Sequence, residues 1–404
     1  MTDPSPVRVT GPLMQFAAGF AAELSRQGYT PKGTGFQLHL MAHLSRWLEE
    51  QALDPSGLSA AEAERFLEVR RAAGYASRYS SKGLAPLLAH LRGLGVVPPP
   101  LPPAPPEGPV EELLERYRRY LIGERGLKER SARSYAEMVQ PFLEGRLSPE
   151  GLGLERLDAA EVSAFVVARC PQQGAGSAKL TVTALRSLLR FLHLEGEICQ
   201  PLAQAVPTAA GWQAAALPKA LEPAQVRSLL ASCDRNTAKG RRDFAILTVL
   251  ARLGLRRAEL AGLRLGDIDW RAGEILVRGK GRRNERLPLP ADVGEAIVAY
   301  LRDGRPATAD GDTVFMRVKP PHRPLTPWAV SQVVLAAARR AGLEPIQAHR
   351  LRHTVATEAL RGGATLPEVG QLLRHRRMQT TALYAKVDRE GLRRLALPWP
   401  GGGA

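Results

Sequence analysis

The amino-acid sequence predicts a mainly α-helical fold with one small antiparallel β-sheet, and three observations support this prediction. Apolar residues recur three and four positions apart through most of the chain, as in Leu40, Leu44 and Leu48, which is the spacing of one helix face. The stretch GEILVRGKGRRNERLPLP, residues 273–290, has two short apolar strands on either side of a Gly-Lys-Gly turn, a hairpin pattern. The stretch VVPPPLPPAPPEGP, residues 96–109, excludes helix and central strand, because proline lacks the amide donor and keeps its neighbour extended.

These patterns divide the chain into domains. A first helical module covers residues 1–97, a proline-rich linker 98–107 and a second helical domain 108–205. A run dominated by small residues, 206–218, predicts a second linker before the last domain, 219–404.

The first two helical regions look like copies of one module. LSAAEAERFLEVR, residues 58–70, resembles LDAAEVSAFVVAR, residues 157–169, and LLAHLRGLG, residues 87–95, resembles LLRFLHLEG, residues 188–196. A duplicated helical unit explains both matches. Chance similarity between alanine-rich amphipathic helices is the alternative.

Composition favours a nucleic-acid partner. The 404 residues include 56 Lys and Arg against 40 Asp and Glu, a formal charge of +16, which attracts polyanions; ribosomal and membrane-surface proteins share that balance. The three cysteines, Cys170, Cys199 and Cys233, lie far apart and support neither a disulfide framework nor a zinc cage. No apolar run approaches the roughly 18 residues that span a bilayer, and no secretory signal begins the chain, so we expect a cytoplasmic protein without a membrane partner.

Two patches of the last domain combine residues suited to phosphate. In LGLRRAEL, residues 253–260, Arg256 and Glu259 are three apart and share a helix face; a surface ion pair is the alternative. In RGKGRRNER, residues 278–286, Lys280 lies at a hairpin tip, where basic residues also serve solubility.

A third patch, HRLRHTVAT at residues 349–357, has His349 and Arg352 three apart on a predicted helix. The competing interpretation uses His349 and His353, four apart, as metal ligands. It is disfavoured because no carboxylate completes a zinc motif.

The fourth patch contains a tyrosine. Thr365 and Glu368 form a capping-box pattern that starts a helix ending near His375, and a turn leads on to Tyr384. A half-buried tyrosine with one hydrogen bond is the ordinary interpretation of such a residue.

The four patches taken together resemble the pattern of a known protein family. This order and spacing resemble the tyrosine recombinases, the integrases of phages and mobile elements and the Xer-type resolvases. The matching residues are, in chain order, Arg256, Lys280, His349, Arg352, His375 and Tyr384.

Three motifs carry the resemblance. The family pattern G-L-R-x-x-E-L is matched at 254–260, H-x-L-R-H at 349–353, and a histidine nine residues before the tyrosine at His375. One departure is Arg374, which stands where the family usually has the glycine of L-G-H. The resemblance implies a tyrosine-recombinase catalytic domain preceded by helical, SAM-like DNA-binding domains.

Phosphodiester chemistry gives the cationic residues their predicted roles. Arg256 and Arg352 would clamp the non-bridging oxygens, because a planar guanidinium matches phosphate geometry and stays charged. The resemblance implies that Lys280 protonates the leaving 5′ oxygen, that His375 hydrogen-bonds the phosphate, and that Glu259 orients its neighbours.

The tyrosine is the predicted nucleophile. An unperturbed phenol has a pKa of about 10 and needs a base, for which His349 is the candidate. Tyr384 would form a 3′-phosphotyrosine on double-stranded DNA, without ATP, metal ion or other cofactor. The resemblance implies a synapse of four protomers.

Further arginines are predicted to contact DNA: Arg257, Arg278, Arg282, Arg283, Arg350, Arg376 and Arg377. Three alternatives stay open at this point. They are a type IB topoisomerase that nicks and reseals one duplex, a catalytically idle DNA-binding protein, and a metal-dependent nuclease.

Overall fold

The structure, a computed structural model, describes residues 7–75, 80–99, 105–208, 220–279, 284–309 and 311–375, together with Thr381 and Tyr384. The chain forms two compact units. Residues 1–100 and 217–404 make up one unit, and residues 101–216 make up the other. The division into three domains, with linkers at 98–107 and 206–218, stays a prediction.

The amino-terminal part of the first unit is a helical bundle. Its helices are α1 (Ala17–Arg26), α2 (Pro31–Glu50), α3 (Ala60–Ala72) and α4 (Ser81–Gly93). Helix α2 begins where the Thr30 hydroxyl accepts a hydrogen bond from the Gly33 amide and proline follows as the first helical residue, a favoured start. Phe20, Leu44 and Leu91 are fully buried between the helices.

The second unit is also helical, with α5 (Pro109–Gly123), α6 (Glu129–Glu144), α7 (Ala159–Arg169) and α8 (Ala175–Leu194). A capping box between Asp158 and Glu161 starts α7. Leu185, Leu188 and Leu192 are fully buried, because their spacing aligns them on one face of α8.

The carboxyl-terminal part of the first unit holds most of the remaining helices. They are α9 (Pro223–Ala231), α10 (Ala238–Leu253), α11 (Arg257–Ala261), α12 (Ala291–Asp303), α13 (Pro327–Arg340), α14 (Ala348–Arg361) and α15 (Leu366–Leu372). Helix α10 lies centrally and contacts α12 and α14, which explains why Ala245, Ile246 and Val249 are fully buried. None of the described helices has both the length and the apolar character needed to cross a membrane.

A three-stranded antiparallel sheet interrupts these helices. Its strands are β1 (Ile268–Asp269), β2 (Glu274–Arg278) and β3 (Asn284–Pro288), in the order β1-β2-β3. Ile275 lies opposite Leu287 in the β2–β3 pair, and Ile275 and Val277 point into the core. The mainly α fold with a small antiparallel sheet is therefore confirmed. Residues 280–283, at the hairpin tip, lie outside the described residues.

Gly254 generates a stability prediction, because it ends α10 with φ +57° and a Cβ there would lie 3.0 Å from Leu373 Cδ2. We expect Gly254→Ala to lower the free energy of unfolding by about 2–4 kcal/mol, the sum of left-handed backbone strain and crowding against the core. Urea denaturation of the purified protein measures the loss.

Gly342→Ala is the matched control, because Gly342 has φ +67° but no described atom lies within 4 Å of the point that an added Cβ would occupy. We expect this variant to lose only the backbone part, about 1–2 kcal/mol. Equal losses in the two variants would show that packing at Gly254 contributes nothing.

Candidate active site

Arg352 is the central cation of the site and is only 1% exposed. Its Nη1 donates to the Gly254 carbonyl at 2.6 Å, and its Nη2 donates to the Leu373 carbonyl. These carbonyls belong to the residues that follow α10 and α15, where helix dipoles concentrate negative charge. Burial, followed by the charges of Arg256 and Arg374, lowers the pKa of Arg352 to about 9, so the guanidinium stays charged near neutral pH.

Arg256 is fixed by Glu259, three residues further along. The Arg256 amide donates to Glu259 Oε2 at 2.9 Å, and its Nη1 donates to Glu259 Oε1. The Arg256 side chain keeps 41% of its surface exposed, whereas that of Glu259 keeps 5%. Burial raises the pKa of Glu259, but hydrogen bonds from Arg256 and the charge of Arg374 outweigh burial and lower it. The carboxylate is therefore ionised and orients an arginine that still faces solvent.

Tyr384 lies in the interior, 2% exposed, with its hydroxyl 2.7 Å from Nδ1 of His353. Its ring is nearly parallel to that of His375, with centroids 6.2 Å apart. Burial raises the pKa of the phenol, while the charge of Arg352 acts in the opposite direction. The phenol is therefore protonated at neutral pH and needs an acceptor before it can attack.

The imidazoles of His353 and His375 lie beside this phenol, and that of His349 contacts His353. The rings of His349 and His353 meet edge to face, with centroids 4.6 Å apart, and Nδ1 of His375 is 2.8 Å from the Thr381 hydroxyl. Burial is the main cause that lowers the pKa of all three, to about 4 for His353 and His375, and nearby arginines add to it. Neutral imidazoles at working pH are able to accept a proton.

A pocket of about 370 Å³ opens beside His349. Arg256, Arg257, Ser331 and Gln347 line it along with His349, and Nη1 of Arg257 donates to the Ser331 hydroxyl at 3.3 Å. Two guanidinium groups and one imidazole thus face a cavity large enough for a phosphate group.

The sequence-predicted catalytic residues are brought together as far as the structure describes them. Four of them converge where the ends of α10 and α15 meet α11 and α14: Arg256, Arg352, His375 and Tyr384. His349 lies on α14 within the influence of both arginines, and its ring contacts that of His353. Lys280 lies outside the described residues, so its role stays a prediction.

The predicted DNA contacts vary in their surroundings. Arg257 is exposed beside the pocket, and Arg350 is half-buried in the first turn of α14. Arg278 pairs with Asp267 at 2.6 Å, so DNA would compete with a carboxylate for it. The remaining predicted contacts lie outside the described residues: Arg282, Arg283, Arg376 and Arg377.

Sequence reasoning missed two site residues. It considers His353 only as a metal ligand, yet this histidine contacts the phenol; its position next to Arg352 in the H-x-L-R-H motif is the available signal. It treats Arg374 only as a departure from a family glycine, yet the side chain is 5% exposed and pairs with Glu259. In the part of the chain that the structure describes, no group of three or more His, Cys, Asp or Glu side chains is arranged to hold a metal ion.

Family models and named relatives match most of the chain. Residues 219–390 match the phage integrase family, and residues 114–196 match the phage integrase N-terminal SAM-like domain. A Sinorhizobium fredii protein named as an integrase/recombinase, y4rA, is 40% identical over 97% of this chain and 95% of its own length. Tyrosine recombinase XerD of Listeria monocytogenes is 32% identical over 69% of this chain and 95% of its own length.

Solved structures share the fold. XerH site-specific recombinase bound to palindromic difH substrate aligns with a TM-score of 0.60 at 20% identity, covering 73% of this chain and 98% of that one. A lambda integrase tetramer bound to a Holliday junction aligns with a TM-score of 0.54 at 19% identity, covering 74% of this chain and 85% of that one.

The similarity to y4rA and XerD and the phage integrase match over 219–390 agree with the convergence of arginine, histidine and tyrosine side chains in one site. The chain therefore belongs to the phage integrase family of tyrosine recombinases.

Proposed function

We propose that this chain is a site-specific DNA recombinase that cuts and rejoins double-stranded DNA through a 3′-phosphotyrosine at Tyr384. One observation carries the proposal: two consecutive residues of α14 bring a buried guanidinium and the phenol hydroxyl into one site. Arg352 supplies a buried guanidinium, and His353 contacts the phenol hydroxyl at 2.7 Å.

The arginines would bind the scissile phosphate. A phosphodiester repels nucleophiles because of its negative charge, so cations on the non-bridging oxygens lower the barrier to attack. Arg256 is the partly exposed guanidinium beside the pocket, and Arg352 uses two of its five N–H groups on the described carbonyls. Both therefore have donors left for phosphate oxygens.

The transfer step conserves bond energy. The Tyr384 oxygen forms a bond to phosphorus, the bond from phosphorus to the 5′ oxygen breaks, and the phenol proton passes to a neutral imidazole. His349, facing the pocket, stays our proposed base, and His353 is its neighbour on the phenol side. Lys280 would protonate the departing 5′ oxygen, and a 5′ hydroxyl from a second duplex would later reverse the step.

The binding partners that we propose are based on the net charge and on the similarity to known recombinases. The formal charge of +16 suits double-stranded DNA, and the SAM-like match at 114–196 supports DNA binding by residues 108–205. Lambda integrase is described as a tetramer on a Holliday junction, and we propose a tetrameric synapse for this chain too. We place this activity in the cytoplasm, with no membrane partner.

Of the three alternatives, a metal-dependent nuclease would lose its activity in EDTA, which the experiment below includes, and the other two are less well supported. A type IB topoisomerase would relax one duplex without joining two, and an idle DNA-binding protein would form no covalent adduct. The family match favours neither. Strand transfer between two differently labelled duplexes separates recombination from both.

The nucleophile is tested with a nicked duplex that traps the cleaved intermediate, made from DNA flanking the chain's own gene. In EDTA, we expect wild-type protein to form a covalent protein–DNA adduct and Tyr384→Phe to form none, because phenylalanine has no oxygen to bond to phosphorus. Denaturing gel electrophoresis measures the adduct.

Tyr300→Phe is the matched control. Tyr300 is fully buried in the same domain, and its hydroxyl accepts a hydrogen bond from the Met316 amide at 3.1 Å. We expect this variant to keep the adduct while losing about 1–3 kcal/mol of stability from the unpaired amide. An adduct with Tyr384→Phe would exclude our nucleophile.

The imidazoles predict a pH dependence. The pKa of the proposed base His349 is lowered by burial, as are those of His353 and His375, which fall to about 4. The rate of adduct formation should therefore be level from about pH 7 to pH 8 and fall in acid as the rings gain protons. Single-turnover rates on the nicked duplex measure this profile.

Acid also acts on stability. The unfolded imidazole titrates near 6.5 and the folded ones near 4, so the unfolded chain takes up protons first and stability falls from about pH 6.5 to pH 4. Circular dichroism at each pH separates unfolding from lost chemistry. A rate midpoint near 6.5 in folded protein would contradict the lowered pKa values.

A further inference from the structure

Arg374 is an unusual residue for its position. It lies in the turn after α15 with φ +54°, in the left-handed region, which an arginine adopts only when surrounding contacts hold it there. Its side chain is 5% exposed. The turn therefore accepts backbone strain and the burial of a charge at one residue, directly before His375.

The contacts of Arg374 lead to the phosphate-binding residues. Its Nη2 donates to Glu259 Oε2 at 3.1 Å, and its Nη1 donates to the Leu372 carbonyl at 3.0 Å. Its own carbonyl accepts a hydrogen bond from Nη2 of Arg256 at 3.1 Å. Arg374 thus touches Arg256 directly and also holds the carboxylate that orients it.

The charge around Glu259 is unbalanced among the described residues. Arg256 and Arg374 both pair with this one carboxylate, and Arg352 adds a third guanidinium that donates to carbonyls. Glu285 is a second carboxylate that acts on Arg374, so three guanidinium groups stand against two carboxylates. Nε of Arg374 is buried and has no hydrogen-bond acceptor within the described part of the chain. Such a cluster favours an anion nearby, because burial strengthens each electrostatic interaction.

We propose that Arg374 is a positioning residue for strand cleavage: it holds Glu259, and through it the Arg256 guanidinium, in the orientation that receives the scissile phosphate. It also adds a third positive charge to the phosphate site. This inference rests on the proposed recombinase function and assigns a role to a residue that departs from the family's usual glycine.

A double-mutant cycle tests the proposal, with the single-turnover rate of adduct formation at saturating nicked DNA as readout. The variants are Arg374→Gly, Glu259→Gln and the two combined. Glycine adopts φ +54° without strain, so Arg374→Gly removes the side chain and not the turn. We expect each single variant to slow adduct formation about tenfold or more, and the double variant to be no slower than the worse single one.

Two further variants test whether the loss of rate is specific to the charge of Arg374. Arg374→Lys keeps the charge and should recover part of the rate. Arg242→Lys is the matched control, because Arg242 forms another buried ion pair in the same unit, with Asp243 at 2.6 Å, and should leave the rate unchanged. A structural role alone would lower the unfolding temperature of Arg374→Gly without slowing the step at saturating DNA.

Several results would overturn the proposal. They are a wild-type rate for Arg374→Gly, a double-variant loss equal to the product of the single losses, or an equal loss in Arg242→Lys. Should Arg374→Gly fail to fold, the cycle is run with Arg374→Asn under the same criteria, because asparagine also tolerates a left-handed backbone and carries no charge. Absence of any adduct with wild-type protein would count against the recombinase function itself, so the two failures are distinguishable.

Discussion

The burial of the Arg352 guanidinium against two helix ends is the interaction on which the site depends. A charge with 1% exposure is stable only if its donors are satisfied, and the carbonyls of Gly254 and Leu373 satisfy two of them. This contact ties the end of α10 to the end of α15, and thereby fixes the turn that carries Arg374 and His375. Because neither partner is a carboxylate, the positive charge is not cancelled and remains available to a phosphate.

Glu259 orients the neighbouring arginines without cancelling their positive charge. One carboxylate orients Arg256 and pairs with Arg374, so the cluster keeps a net positive charge. The same positive field adds to burial in lowering the pKa of the neighbouring imidazoles. The arginines that we propose to bind phosphate therefore also keep the neighbouring imidazoles uncharged, which would link phosphate binding to proton acceptance.

Much of the fold follows from local sequence, and much of the site does not. The helical spacing, the hairpin around 273–290 and the Thr365–Glu368 capping box depend on neighbours in sequence, and the structure contains all three. The contact between Arg374 and Glu259 joins residues 115 positions apart, and no local pattern encodes it. The histidine that contacts the phenol could not be predicted from local sequence either. His349 and His353 lie on the same helix, and only the tertiary fold brings Tyr384 to His353.

The burial of Tyr384 has a consequence for the specificity of DNA cleavage. The Tyr384 phenol is 2% exposed, and burial raises its pKa. It is therefore shielded from solvent and from DNA that is not bound in the site. An enzyme with an exposed nucleophile could cleave DNA at sites other than its target. Burial of the phenol that we propose as nucleophile limits such unspecific cleavage. In the reaction that we propose, the phenol attacks only after DNA binding has brought a phosphate to it, so recognition of the target precedes cleavage.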